Sequence, residues 1–420
     1  MAGRVQLETS GPQDRFFTID PDYTHFLESF KKHSNFSVEH VFLDPENEAD
    51  FGKTIKFTIS QNQADLLRNV ALSVKLPKLD SSYNVGYIES IGHALIEHVD
   101  LVIGDVIVQR ITSDYLQIYS EHNVTQTKQK TLEKLIGKYS FRTSATPVSN
   151  PSIIGFLGKA TTSQDYFIDV PFYFYNNPEL SIPLCAITKQ EVEVHIKLRS
   201  YTDLIVDTSD GTYKPLTSTP KIESLSLCAE CVFLDTCERV KTKHAKRDFI
   251  ITQIQQNVFN IPQNVQEGQF KLSFVNPVKE LYFIIQRKDG FVTPFDYDNT
   301  LAIVDNKFIL YENLDYLSLT LDGEEVISRD TGDYVFLKAA QGAIHHSKTQ
   351  LIRRFYSYSF ACEPEKWYPT GQLNFSVIKE QILNLSLTPC TTSSRQARIY
   401  ALSYNILRVS EGIAKTIFNH

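Results

Sequence analysis

The side chains best suited to chemistry in this chain are scattered, and each set lacks the partners its chemistry needs. Cys228-Ala229-Glu230-Cys231, with Cys237 beyond it, has the CxxC spacing of zinc and redox sites, but no second CxxC or paired histidine motif follows. On a strand, residues 228 and 231 point to opposite faces, so packed thiols are the expectation. His93, Glu97 and His98 carry the ligand types that cupin-type enzymes place on adjacent strands. Their spacing puts His98 on the face opposite His93 and Glu97, and the close H-x-H pair is absent. His345-His346 sits in a polar, turn-rich stretch, which predicts solvated loop histidines. Gly52-Lys53-Thr54 resembles the tail of a phosphate loop, yet Asn47 stands where the first glycine should be, and a strand start is the simpler reading. Glu324-Glu325 follows Gly323 in what reads as a turn, where solvation explains paired carboxylates without a catalytic partner. No G-x-S-x-G, complete Walker A loop, G-x-G-x-x-G or H-E-x-x-H occurs. No catalytic, cofactor-binding or metal-binding residue is therefore expected.

Basic residues gather at Lys128, Lys130, Lys134 and Lys138, and again at Lys241, Lys243 and Lys246 around His244. Neither run is interleaved with stacking aromatics, so solvated helix faces are expected rather than a nucleic-acid or lipid surface. With 42 Lys+Arg against 49 Asp+Glu the formal net charge is −7, which argues against a surface built to hold a nucleic-acid backbone. Asn35, Asn123, Asn374 and Asn384 lie in glycosylation sequons. The opening MAGRVQLETSGPQDRFF has no apolar core of a secretory signal, which predicts that the chain stays in the cytosol and that the sequons go unused. No stretch approaches the roughly 18 apolar residues of a membrane-spanning helix. Six cysteines are too sparse for a disulfide scaffold and fit free thiols in a reducing compartment.

The elements that would position these residues read as strands. Short runs rich in Val, Ile, Phe, Tyr and Leu alternate with period two and are separated by Gly, Pro, Asn and Asp turns. In the first half the runs are 36–43, 52–59, 70–76, 98–111, 166–174 and 191–198. In the second they are 222–234, 248–256, 269–274, 280–286, 315–321, 373–387 and 397–409. Leu281, Phe283 and Ile285 alternate as on a strand with one buried face. The segments 125–138 and 235–246 read as helices or ordered loops, and 287–313 with 323–353 as long excursions from one end of a sandwich. A chain of 420 residues exceeds what one core usually organises. The reading is all-β: an N-terminal arm over 1–34, a first sandwich over 35–200, a linker over 201–221 where DTSDGTYKPLTSTPK lacks apolar periodicity, and a second sandwich over 222–420.

Several stretches, in order along the chain, resemble the major capsid proteins of the nucleocytoplasmic large DNA viruses. GPQDRFFTIDPDYTHF and KKHSNFSVE look like the entry to the first strand, IGHALIEHVDLVIGDVIVQRITSDYLQIY like a central hairpin leading to a short helix, and VPFYFYNNPELSIPLCAITKQEVEVHIKL like the close of the first domain. VFLDTCERVKTKHAKRDFIITQIQ, FVNPVKELYFIIQ, PTGQLNFSVIKEQILNLSLT and ARIYALSYNILRVSEGIA resemble the opening, a later strand and the closing strands of the second. The resemblance implies two tandem jelly rolls and a homotrimer of pseudo-hexagonal outline. Such capsomers tile an icosahedral shell, with neighbouring capsomers, minor capsid proteins and an internal membrane as contacts and no sequence-specific nucleic-acid binding. Three rivals remain at this point. One is a glycan-binding jelly roll with Trp367 and Tyr368 as its stacking platform, another a cupin-like metalloenzyme, and the third a minor capsid paralogue of the same fold.

Overall fold

The computed structural model describes residues 2–21, 25, 32–138, 160–207, 213–288, 297, 300–304, 307–310, 312–346, 355–390 and 393–418. The chain divides into two compact units, Met1–Phe36 and Ser37–His420. The first contains the helices α1 (Ala2–Glu8) and α2 (Arg15–Thr18), which leave Leu7, Phe16 and Phe17 more than four-fifths exposed.

In the first half the elements run β1 (Phe36–Leu43), β2 (Thr54–Ile59), β3 (Leu66–Leu76), β4 (Val85–Tyr87), α3 (Ile91–Leu95), β5 (Ile96–Ile103), β6 (Val106–Thr112), α4 (Ser113–His122), α5 (Gln126–Ile136), β7 (Gln164–Asp169), β8 (Val192–Leu198), β9 (Ile205–Asp207) and β10 (Ser224–Leu234). Two antiparallel four-stranded sheets, β1-β10-β3-β7 and β2-β8-β5-β6, face each other over a core that includes Ile55, Phe57, Leu72, Ile111 and Val194. Alternation builds this core directly: on β2 every second residue, Ile55, Phe57 and Ile59, is buried. The helix α5 stops at Gly137, whose φ of 69° needs glycine and whose backbone packs too close to Ile91 and Tyr166 for a side chain.

The second half continues with α6 (Thr236–His244), β11 (Arg247–Ile261), β12 (Glu267–Lys271), β13 (Pro277–Arg287), β14 (Thr300–Val304), β15 (Lys307–Leu310), β16 (Leu314–Leu321), β17 (Glu324–Ile327), α7 (Gln341–His345), β18 (Phe355–Ser359), β19 (Leu373–Asn374), β20 (Gln381–Leu387), β21 (Arg395–Ser410) and β22 (Ile413–Thr416). Its sheets are β11-β21-β13-β18, with β19 and β22 attached, and β12-β20-β16-β17. Among the described residues, three hairpins close on two-residue turns in which both residues have positive φ: Gly104-Asp105, Asp322-Gly323 and Glu411-Gly412. That backbone twist matches the twist of the flanking strands.

The β11-β21-β13-β18 sheet is a wall shared by two cores. On β13, Leu281, Phe283 and Ile285 pack into the second sandwich, whereas Tyr282 and Ile284 belong to the apolar cluster of the first. β21 divides likewise, with Ala397, Ile399 and Ala401 on one side and Tyr400 and Leu402 on the other. The expectation of a single buried face on 280–286 is corrected: this strand is covered on both faces, and its apolar run is correspondingly continuous.

Two further readings change. The strand expected over 222–234 belongs to the first sandwich, not the second: Ser224–Leu234 pairs antiparallel with β3, from Ser224 opposite Lys75 to Val232 opposite Leu66. Within 201–221, β9 pairs with β4, and Thr217 and Ser81 tie the segment to the loop after β3. These residues complete the first sandwich rather than merely leaving it. Of the long excursions, 289–296, 298–299, 305–306, 311 and 347–354 lie outside the described residues, as do 139–159.

Candidate functional site

The most concentrated chemistry in the fold lies along the seam where α4 meets the shared wall. α4 starts at Thr112, whose hydroxyl accepts the Tyr115 amide at 3.4 Å, an ordinary N-cap. That start puts Asp114 in the first turn, where a carboxylate suits the helix dipole. Asp114 is buried and accepts Tyr297 Oη at 2.6 Å and Tyr400 Oη at 2.5 Å, while Arg398 Nε lies 3.0 Å from Oδ2. Three groups from the second half thus converge on one carboxylate from the first.

The other end of α4 carries His122, also buried, with Nδ1 3.0 Å from the Ile118 carbonyl. Its ring meets the ring of His346 edge-on, with centroids 4.9 Å apart. His346 Nε2 lies 2.6 Å from Glu280 Oε1, and the Tyr282 hydroxyl donates to Glu280 Oε2 at 2.7 Å. Burial works against charge on His346, but the Glu280 and Glu365 carboxylates outweigh it and hold the imidazole up at about 9. Glu280 is held below the ordinary carboxylate range, because His346 offsets its burial. His122 goes the other way, lowered by burial and then by the neighbouring His346. Lys279 donates to the Pro364 carbonyl at 2.9 Å, lies 5.4 Å from the Tyr404 ring centroid, and is pushed down to about 8 by burial. A cavity of about 90 Å³ opens beside these groups, lined among others by Tyr119, Tyr175, Lys279, His346, Glu365 and Trp367.

Apart from Asn123 and Trp367, which line this cavity, the residues singled out from the sequence fall elsewhere, with two exceptions. Cys228 and Cys231 are both buried on β10, next to a register shift, and burial raises both thiols, that of Cys231 to about 11; Cys237 is exposed. His93 is buried in α3 and held down to about 3 by burial, Glu97 is exposed on β5, and His98 is partly buried beside Asp100, so the three do not converge. Asn47 brackets the start of β2 by bonding the backbone of Thr54 and Lys56, and Lys53 is paired with Glu48 at 2.6 Å. Glu324 and Glu325 are exposed and open β17, just past the turn. Lys128, Lys134, Lys241, Lys243, His244 and Lys246 are exposed, while the side chain of Lys130 lies outside the described residues. Asn35 and Asn374 are exposed, whereas Asn123 and Asn384 are half-buried. Trp367 and Tyr368 meet at 86°, so the two rings offer no common flat platform.

The exceptions are corrections. Lys138 is not on a solvated face: it is buried, donating to Glu121 and, at 2.9 Å, to Gln129. His346 is not a solvated loop histidine: His345 is half-buried beside the Cys362 carbonyl, and His346 is drawn fully inside by Glu280. Sequence reasoning also passed over Asp114, Glu280, Lys279 and Arg398. The available signal was charge inside apolar strand sequence, in PVKELYFII and ARIYAL, where an ionised side chain needs a buried partner. Among the described residues no group of three or more His, Cys, Asp or Glu is arranged to hold a metal ion.

Two antiparallel sandwiches in tandem, sharing a wall and braced across it by the buried Asp114–Arg398 pair, define a double jelly-roll protein. The chain belongs to the major capsid protein family of large eukaryotic DNA viruses: residues 24–235 match the family model for the major capsid protein N-terminus, and residues 238–415 match that for the large eukaryotic DNA virus major capsid protein. It is 26% identical to the major capsid protein of Pyramimonas orientalis virus, over all of this chain and 99% of that one. It is 23% identical to that of Paramecium bursaria Chlorella virus 1, over 98% of each. Among solved structures, its fold matches a chain of the PBCV-1 virus capsid with a TM-score of 0.78 at 19% identity, over 94% of this chain and all of the other. It matches the Faustovirus major capsid protein with a TM-score of 0.73 at 14% identity, over 93% of each. The protein is accordingly a structural component of a virion capsid and not an enzyme.

Proposed function

We propose that the chain forms a homotrimer of pseudo-hexagonal outline, and that these capsomers tile an icosahedral shell through weaker contacts with their neighbours. The observation that carries this reading is an uncovered apolar row on an open sheet edge. β1 ends its sheet, and while Val41 and Leu43 pack inward, Phe36, Val38 and Phe42 are 52%, 40% and 59% exposed. An eight-residue edge strand with an apolar outer face invites uncontrolled pairing unless a partner covers it, and a neighbouring subunit is the natural cover. In a cyclic trimer each subunit offers one patch to a different patch on the next, a contact that closes on itself. Light scattering on a sizing column is expected to give 3 × 48.0 = 144 kDa for the purified protein. A monodisperse species of 48.0 kDa would overturn the trimer and favour a minor capsid paralogue or a glycan-binding role.

The reading divides the chain into an arm over 1–34, a first roll closing at Leu234 with β10, and a second roll from there on. Leu7, Phe16, Phe17 and Ile19 in the arm are strongly exposed, which supports a role in contacting minor capsid proteins or an internal membrane. Assembly would take place in the host cytoplasm. Removal of residues 1–34 is expected to leave trimers intact and to abolish their higher assembly; unchanged assembly would remove the arm from the mechanism.

A further inference from the structure

We propose that the paired rings of His122 and His346 form an acid-sensitive latch between the two rolls. His122 ends α4 on the first roll, and His346 follows α7 on the second, so the 4.9 Å contact crosses the seam. Both side chains are buried, 4% and 5% exposed, in a place where added charge is screened by little water. Around neutral pH the seam holds the positive ring of His346 paired with the Glu280 carboxylate, beside Glu365 and Lys279, with His122 neutral between the pair and the Ile118 carbonyl.

The groups facing His122 decide what a further proton does. From β13 come Glu280 and Tyr282, the latter 5.4 Å away ring to ring, with Lys279 on the same strand facing the cavity. After α7 comes His346 itself, and from the 363–367 loop Glu365, 3.8 Å from His346 Nδ1. On α4 itself is Glu121, which is already occupied by Lys138 from the end of α5. A second proton would therefore place two imidazolium rings in contact over a single fully buried carboxylate, since Glu365 is partly exposed and Glu121 is engaged elsewhere. Like charges on opposite sides of a seam push it open.

The sign of the effect follows from linkage. His122 is lowered in the fold from 6.5, so the unfolded chain binds more protons below that pH, and stability falls as pH drops through 6.5. His346 is raised, so its contribution is complete below 6.5 and is lost as pH rises toward about 9. The seam is tightest near pH 6.5, and acid loosens it through His122. The latch lies within one subunit and does not rest on the trimer.

The test compares full-length wild type with His122→Phe, which keeps a ring, and His122→Gln, which keeps polarity, in urea unfolding between pH 5 and 8. Below pH 6.5 the wild type is expected to lose more in its folding equilibrium per pH unit than either variant, up to the roughly tenfold that one proton sets. His346→Gln is expected to remove the decline above pH 6.5 instead. Parallel profiles for wild type and the His122 variants would overturn the latch. Should both variants fail to fold, hydrogen exchange on the wild type, corrected for intrinsic rates, reads the same event. Protection lost at pH 5 first in 113–122 and 341–346 supports the latch, and uniform loss overturns it.

Discussion

Asp114→Ala is expected to destabilise the subunit by about 3–5 kcal/mol, because it strands a buried guanidinium. In the native fold Tyr297 and Tyr400 donate to this carboxylate, and Arg398 sets its Nε beside it while its terminal nitrogens donate to Gln286 and Gln396. Alanine leaves Arg398 inside the seam, its side chain 16% exposed, with its opposite charge gone, and leaves two buried hydroxyls short of an acceptor. At about 2–4 °C per kcal/mol for a large domain, the melting temperature should fall by roughly 10 °C. Asp114→Asn keeps an acceptor for the tyrosines and should cost less. The paired change Asp114→Leu with Arg398→Met should recover much of the loss, since replacing both charges removes the stranded one. A loss below about 1 kcal/mol for Asp114→Ala would mean that water reaches the seam and that the cluster does not brace it.

Phe283→Ala should cost about 3–5 kcal/mol, the range for emptying an aromatic site in a packed core. Phe283 is 1% exposed on the central strand of the wall and faces the second sandwich. The adjacent Ile284 is equally buried but faces the first. Ile284→Ala should cost about 2–5 kcal/mol and act on the other core. Urea unfolding gives both magnitudes, and limited proteolysis of the two variants gives their locations. Cleavage in the second roll for Phe283→Ala and in the first for Ile284→Ala is the expected contrast. Identical cleavage patterns would mean that the wall does not separate the two cores.

What the sequence disclosed is largely what period-two alternation and turn chemistry encode locally. Phe36–Leu43 is bounded as read, and 98–111 reads as the hairpin that Gly104-Asp105 closes. The two charged segments form α5 and α6 with boundaries within one or two residues. Sheet membership is a different kind of fact. The alternation in Ser224–Leu234 would satisfy either roll, and its pairing with β3 is decided by residues about 150 positions upstream. The continuous apolar run of Pro277–Arg287 did carry the signal of a strand buried on both faces, but reading only its odd positions hid it. The seam was illegible for the same reason. His346 sits in polar, turn-rich sequence, and its partner Glu280 lies 66 residues away, so only the folded chain brings the charge and its counter-charge together. The short strand Phe355–Ser359 was missed because FYSYS alternates without a polar face distinct enough to mark its period.

The shared wall also bears on how the subunit is made. Tyr400, Leu402, Leu407, Val409 and Ala414 belong to the same apolar cluster as Ile55 and Phe57, so part of the first roll's packing is supplied by β21 and β22, which follow the rest of the second roll along the chain. Domains of a nascent chain ordinarily fold one after another as they emerge from the ribosome. Here the earlier roll cannot bury its outer surface until the later one has arrived. A chain broken off before β21 keeps that surface in water and falls to chaperones and proteases rather than reaching a shell. The architecture thereby ties the packing of the first roll to the presence of β21, so that truncation there is expected to cost both rolls and not the second alone.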